Sequence, residues 1–127
     1  MTIASTGMNA AMQGLAQVLE TSRRLGVPPA SWRWTARQRL AALRDALLAE
    51  VHPGTEGWFA ARGGSLLRER TLLLTRLSEL GPRVLEHPDI EAVSAELHRL
   101  LVDIGHHVQR LHDLAYDEVE LELGGSE

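Results

Sequence analysis

Seven aliphatic residues, Ile90, Val93, Leu97, Leu100, Ile104, Leu111 and Leu114, recur at steps of three, four and seven. That spacing puts them on one side of a long α-helix, in the seam of a left-handed helical bundle. The same register, Val93 to Leu100 and seven onward, places His107 in the apolar seam. A neutral imidazole buried there needs a partner for each ring nitrogen, or it costs roughly 1–3 kcal/mol. One position thus ties the fold to any chemistry the chain carries. The helix is expected to start after an Asp89 N-cap and to reach at least Tyr116.

Three further helices follow from the same periodicity. The first spans about Met8 to Leu25, with Met8, Met12, Leu15 and Leu19 on one face and Gly26, Pro28 and Pro29 closing it. The second spans about Ser31 to Val51, with Ser31 or Thr35 as cap, a stripe of Leu40, Leu43, Leu47 and Val51, and Pro53-Gly54 as its stop. The third spans Ser65 to about Leu80, with Leu66, Leu73, Leu77 and Leu80 inward, until Gly81-Pro82 interrupts it. Between His52 and Gly64 the pattern is broken, and Trp58 and Phe59 there call for burial.

Leucine, alanine, arginine and glutamate dominate, all residues that lose little rotamer freedom in a helix. No βαβ pattern and no repeat are visible. The fold expected is all-α, an antiparallel up-down four-helix bundle. Residues 1–7 are expected to fray, 8–118 to form one domain, and 119–127 to be an acidic tail, as frayed helix or extended arm.

Composition removes several classes of function. The 127 residues contain no cysteine, so thiol chemistry, disulfides and Cys-based metal sites are excluded. All 13 basic residues are arginine, which excludes a Schiff-base or P-loop lysine. The all-arginine usage matches a GC-rich bacterial coding bias. A net charge of -4 argues against nucleic acid, although Arg23, Arg24, Arg33, Arg37, Arg39 and Arg44 cluster in the first half. No apolar run is long enough to span a membrane, and no secretory leader is visible, so a cytoplasmic location is expected. No Gly-x-Ser-x-Gly elbow is present.

The candidate polar residues are few. His52 and Glu56 stand four apart and share a face if that segment is helical, with Pro53 and Gly54 between them. Glu69 falls between Leu66 and Leu73, at the edge of the third stripe. His107, His112 and Asp113 lie within one and a half turns. His98 reads as solvated, His87 as a surface residue before Pro88, and His106 as flanking. Gly105 suggests close approach of another helix. Trp32 and Trp34 flank Arg33 after the double proline. One would staple the connector to the core, and the pair is a candidate partner surface.

HPGTEG at 52–57, RERTLLL at 68–74 and HHVQRLHDLAYDEVELELGGSE at 106–127 together resemble the hemerythrin-like (HHE) family, in its actinobacterial form. The resemblance implies a four-helix bundle with a carboxylate-bridged di-iron site among its helices. His52 and Glu56 match the family's His-x-x-x-Glu pair, Glu69 the acid of the third helix, His107 the first ligand of the fourth, and His112 the position of its partner. The first helix has no histidine, and Arg70 stands where the third helix would offer one. A guanidinium stays protonated and cannot ligate iron.

Two readings follow. The favoured one is a degenerate, non-catalytic bundle without cofactor. In it Glu69, Arg70 and His107 form a polar network in place of the metal, and the chain serves as an interaction or regulatory module for a protein partner or itself, as a homodimer. The alternative keeps one or two iron ions on His52, Glu56, Glu69, His107 and His112, and binds or senses oxygen, nitric oxide or peroxide.

Overall fold

The computed structural model describes residues 6–21, 28–52 and 57–125. Four helices account for nearly all of them: α1 Thr6–Thr21, α2 Pro29–Leu48, α3 Ala60–Glu86 and α4 Ile90–Gly125, with a 3-10 turn at Gly57–Phe59 before α3. There is no strand among the described residues. The helices pack as a ring of neighbours, α1 on α2, α2 on α3, α3 on α4 and α4 back on α1. No described helix is long and apolar enough to cross a membrane.

Most positions of the stripes expected from the sequence are buried, while Met12, Leu19 and Ile90 are only partly so. Met8 and Leu15 of α1, Leu40, Leu43 and Leu47 of α2, Leu73, Leu77 and Leu80 of α3, and Val93, Leu97, Leu100 and Ile104 of α4 form one cluster. A second, smaller cluster joins Leu66, Leu111 and Leu114, with Phe59 packed against it. The α4 seam runs through both clusters, and His107 falls between them.

The helix ends differ from expectation in instructive ways. Neither Ser31 nor Thr35 caps α2. Pro28 is the N-cap residue, without a side-chain cap, and Pro29 opens the helix. A proline has no N–H to leave unsatisfied in the first turn, and its φ is already helical. Thr35 instead donates to the Ser31 carbonyl at 2.9 Å. α2 stops at Leu48, so Val51 leaves the stripe and is exposed.

Helix α3 starts before Ser65, crosses Gly63-Gly64, and continues through Gly81-Pro82 to Glu86. Pro82 removes one backbone hydrogen bond, yet Leu80, Gly81 and Val84 are all buried, so the stripe holds across it. Packing outweighs local propensity there. Gly81 lets Arg37 lie close against α3: a Cβ there would stand 3.2 Å from its Nε, so the arginine would have to shift by a few tenths of an ångström.

Asp89 caps α4 as expected, accepting from the Ala92 N–H at 3.2 Å. The acidic stretch after Tyr116 continues α4 as helix to Gly125. At the N-terminus, Thr6 and Gly7 already belong to α1, while the end expected at Leu25 lies outside the described residues.

The tryptophans separate. Trp32 is buried and its Nε1–H donates to the Val18 carbonyl at 2.9 Å, tying α2 to α1. This removes Trp32 from the expected partner surface, because its indole is consumed by the core. Trp34 is 60% exposed. Trp58, expected to be buried, is 91% exposed, since the 3-10 turn aims Phe59 rather than Trp58 at the second cluster.

Leu100→Ala is expected to lower unfolding free energy by about 2–5 kcal/mol, from lost burial and a residual cavity. Leu72→Ala, on the solvent side of α3, is expected to change it by no more than about 0.5 kcal/mol. Urea denaturation of the two variants checks the assignment of the α3 and α4 faces.

Candidate metal centre

The site is assembled from three helices. α2 ends at Leu48, and a last turn, closed by the Glu50 N–H donating to the Leu47 carbonyl at 3.3 Å, turns Glu50 inward. Glu50 stands seven residues after Leu43, so it continues the α2 stripe with a carboxylate. His52 follows two residues on. Glu69 comes from α3, and His107 and Arg110 from α4.

His107 is wholly buried and both of its ring nitrogens meet carboxylates. Nδ1 lies 2.5 Å from Glu69 Oε1 and Nε2 lies 2.9 Å from Glu50 Oε1. His52 Nε2 approaches the same Glu50 oxygen at 2.9 Å. The two imidazoles are tilted by 36° with centroids 5.9 Å apart. Arg110 closes the outer side, donating from its guanidinium to Glu69 Oε2 at 2.7 Å. The Glu50 and His52 side chains are almost fully buried, whereas that of Glu69 is 29% exposed. Glu69 also lines a surface cavity of about 190 Å³ with Arg62, Ser65, Leu66, Arg110 and Asp113. It therefore stands between solvent and His107.

This geometry determines the proton on His107. Burial by itself pulls an imidazole pKa down, but hydrogen bonds and charge from Glu50 and then Glu69 outweigh it, and the net shift is upward. An imidazolium donates through both ring nitrogens. A neutral ring would turn one lone pair toward a carboxylate oxygen. Among the described residues, the buried Glu50 Oε2, His52 Nδ1 and Arg70 Nε have no hydrogen-bond partner.

His52, Glu69 and His107 are thus brought together as the sequence suggested. Glu56 lies outside the described residues. His112 is exposed: five residues beyond His107, it is turned about 140° away around the helix. Arg70 does not pair with Glu69. Its guanidinium reaches the Leu47 carbonyl at 3.4 Å, because consecutive helical residues diverge by about 100°. Arg110, one turn after His107 and on nearly the same face, takes the role expected of Arg70.

Glu50 and Arg110 were not anticipated. The signal for Glu50 was its register with Leu43. The signal for Arg110 was its three-residue step from His107. Gly105 meets only the tip of Met12, at an ordinary contact distance of 3.5 Å from its would-be Cβ.

What the cluster offers is a three-donor set. One atom each of Glu50, His52 and His107 lies within 4.8 Å of the others. With Nε2 deprotonated on both rings, that is two imidazoles and a carboxylate, a set suited to iron or zinc. The Glu69–His107 Nδ1 contact is the carboxylate–histidine arrangement that orients a metal-binding imidazole.

The raised pKa of His107 makes stability pH-dependent in metal-free protein. Its folded-state value lies above the ordinary 6.5. The protonated ring therefore stabilises the fold fully below about pH 6.5, and this contribution is lost as pH rises through the folded-state value. In chelator-treated protein the urea midpoint is expected to fall over that window. His107→Gln is expected to flatten that segment of the profile.

No family model, no curated protein and no solved structure matches the chain.

Proposed function

We propose that the chain is a hemerythrin-like, antiparallel up-down four-helix bundle that binds one divalent metal ion between Glu50, His52 and His107. The observation that carries this reading is the convergence of two imidazole Nε2 atoms on one buried carboxylate oxygen. Ligand atoms about 2.0–2.1 Å from a shared ion stand roughly 3 Å from each other. Glu50 Oε1 keeps 2.9 Å to each Nε2. The unpartnered Glu50 Oε2 fits a carboxylate with capacity to spare for a cation.

A pair of irons does not fit the described residues. His112 points to solvent, Arg70 cannot ligate, and Glu69 faces the Nδ1 side of His107, away from the converging donors. One iron held by two histidines and a carboxylate would leave coordination positions open for oxygen, nitric oxide or peroxide. The protein's own residues have separate tasks. Glu69 holds the His107 ring with Nε2 aimed at Glu50. Arg110 offsets the charge of Glu69. Ile104 and Val108 on one side, and Leu111 and Leu114 on the other, keep bulk water from the buried end.

A second reading rests on charge. Glu50 and Glu69 as carboxylates, with His107 protonated and Arg110, sum to zero without any metal. On that reading the proton is the permanent occupant and the bundle is a non-catalytic interaction or regulatory module in the cell interior.

Elemental analysis of protein purified without chelator separates the two readings. About one equivalent of iron or zinc per chain is expected, lost in Glu50→Gln, His52→Ala and His107→Ala. Glu69→Gln is expected to weaken the metal by about 10–100-fold, and His112→Ala to leave it unchanged. Metal-free wild-type protein that cannot be loaded, or full loading of His107→Ala, overturns the metal reading.

A further inference from the structure

Beyond Ala115, the last buried side chain of α4 that is described, the helix continues from Tyr116 to Gly125. Two features make that extension costly in isolation. Short helical ends without tertiary packing are marginal in water. In addition, Asp117, Glu118 and Glu120 crowd the negative end of the helix dipole, and the last turn contains no basic residue. Arg62 offsets Asp117 at 2.9 Å, and Glu120 is engaged by the Tyr116 hydroxyl. Glu118 has no ion-pair partner among the described residues. Tyr116, Val119 and Leu123, at steps of three and four, lie exposed along one face.

The flank of α2 that borders α3 has the complementary character. Trp34, Arg37, Ala41, Arg44 and Leu48 follow steps of three, four, three and four, the spacing of a helix–helix seam. They run beside the buried Ala36, Leu40, Leu43 and Leu47, turned about 110° from them around the helix. Trp34, Arg44 and Leu48 are exposed, and Arg37 and Ala41 half-buried. Four arginines against one aspartate make α2 strongly basic. Neither Arg44 nor Arg37 forms an ion pair among the described residues, although Arg37 lies with its Nε against Gly81 of α3.

We propose that these two surfaces cover each other between two copies of the chain: the acidic end of α4 of one copy lies along the Trp34–Leu48 seam of α2 of the other. Trp34 and Tyr116 are both exposed in the single chain, so the surfaces do not meet within it. Two like copies of the acidic end would repel, which excludes tail-on-tail pairing. Because each copy carries both halves, two such contacts related by a two-fold axis close into a dimer. Arginines from α2 would meet the carboxylates at the dipole's negative end, and Trp34 would gain the cover it lacks. The assignment is independent of the metal centre, whose residues lie elsewhere on the helices.

Sedimentation equilibrium of the full chain at micromolar concentration tests it. In low salt the mass is expected to be twice 14.0 kDa, with association weakening steeply as salt rises. Glu118→Arg with Glu120→Arg, and separately Arg37→Glu with Arg44→Glu, are each expected to weaken self-association by at least about tenfold. Mixing the two variants is expected to restore a dimer containing one of each. Helix content by circular dichroism and metal content should match wild type in both. A monomer at all concentrations in low salt overturns the proposal, as does a dimer that survives both charge reversals. A monomeric chain whose acidic end binds an arginine-rich peptide also overturns it, in favour of a foreign basic partner.

Discussion

A histidine without solvent contact, flanked by two carboxylates, is the constraint on which the centre of this molecule depends. His107 occupies a position where the α4 seam otherwise carries aliphatic residues. Its tolerance there requires Glu50, from the turn after α2, and Glu69, from α3, to arrive within hydrogen-bond distance of opposite ring nitrogens. Removing either carboxylate would leave a buried nitrogen unmatched, which costs more than a hydrogen bond between exposed groups returns. The relative placement of α2, α3 and α4 is thus specified by polar pairing as well as by apolar contact.

The surrounding packing serves that pairing. The large cluster ends on α4 at Ile104 and Val108, and the small one resumes at Leu111 and Leu114. Along the seam the neighbours of His107 are Ile104 and Leu111, about two helical turns apart, which leaves room for a single polar layer between them. On α2 the same level is reached just after the helix ends, which frees Glu50 and His52 from helical geometry and lets both address one point. On α3 the level falls at Glu69, whose partial exposure lets Arg110 cap it from outside. Fold and site are therefore one arrangement, with the polar layer set between two apolar ones.

How far the sequence reveals this follows from the same physics. The long apolar repeats of α1, α3 and α4 were legible because burial along a helix has a fixed period. His107 was legible for that reason too, as the one polar residue on the seam. The boundaries were less so: Pro29 starting α2 and Pro82 surviving inside α3 depend on which interaction outweighs the other locally, and only packing decides that. Glu50 is not legible because the His52–Glu56 spacing is meaningful only on a continuing helix, whereas the chain leaves α2 before reaching His52. Arg70 was misassigned because neighbouring residues in a helix diverge, so an arginine beside Glu69 in sequence is not beside it in space. Trp58 shows the reverse case, an aromatic residue whose burial was expected from its type alone.

The two readings of the centre differ in what occupies a single lone pair. His107 Nε2 can hold a proton and donate to Glu50, or release it and face a cation together with His52. The carboxylates that favour the proton also favour the cation, since both are positive charges entering the same field. Metal affinity must therefore rise with pH as the proton is released, while the metal-free fold loses the stabilisation that the proton provides. Glu69 acts in the same direction in either state, because it accepts from Nδ1 whether Nε2 is protonated or bound. That makes Glu69 the residue that keeps the ring in place through an exchange of occupants. Arg110, half exposed beside it, balances the Glu69 carboxylate from the solvent side.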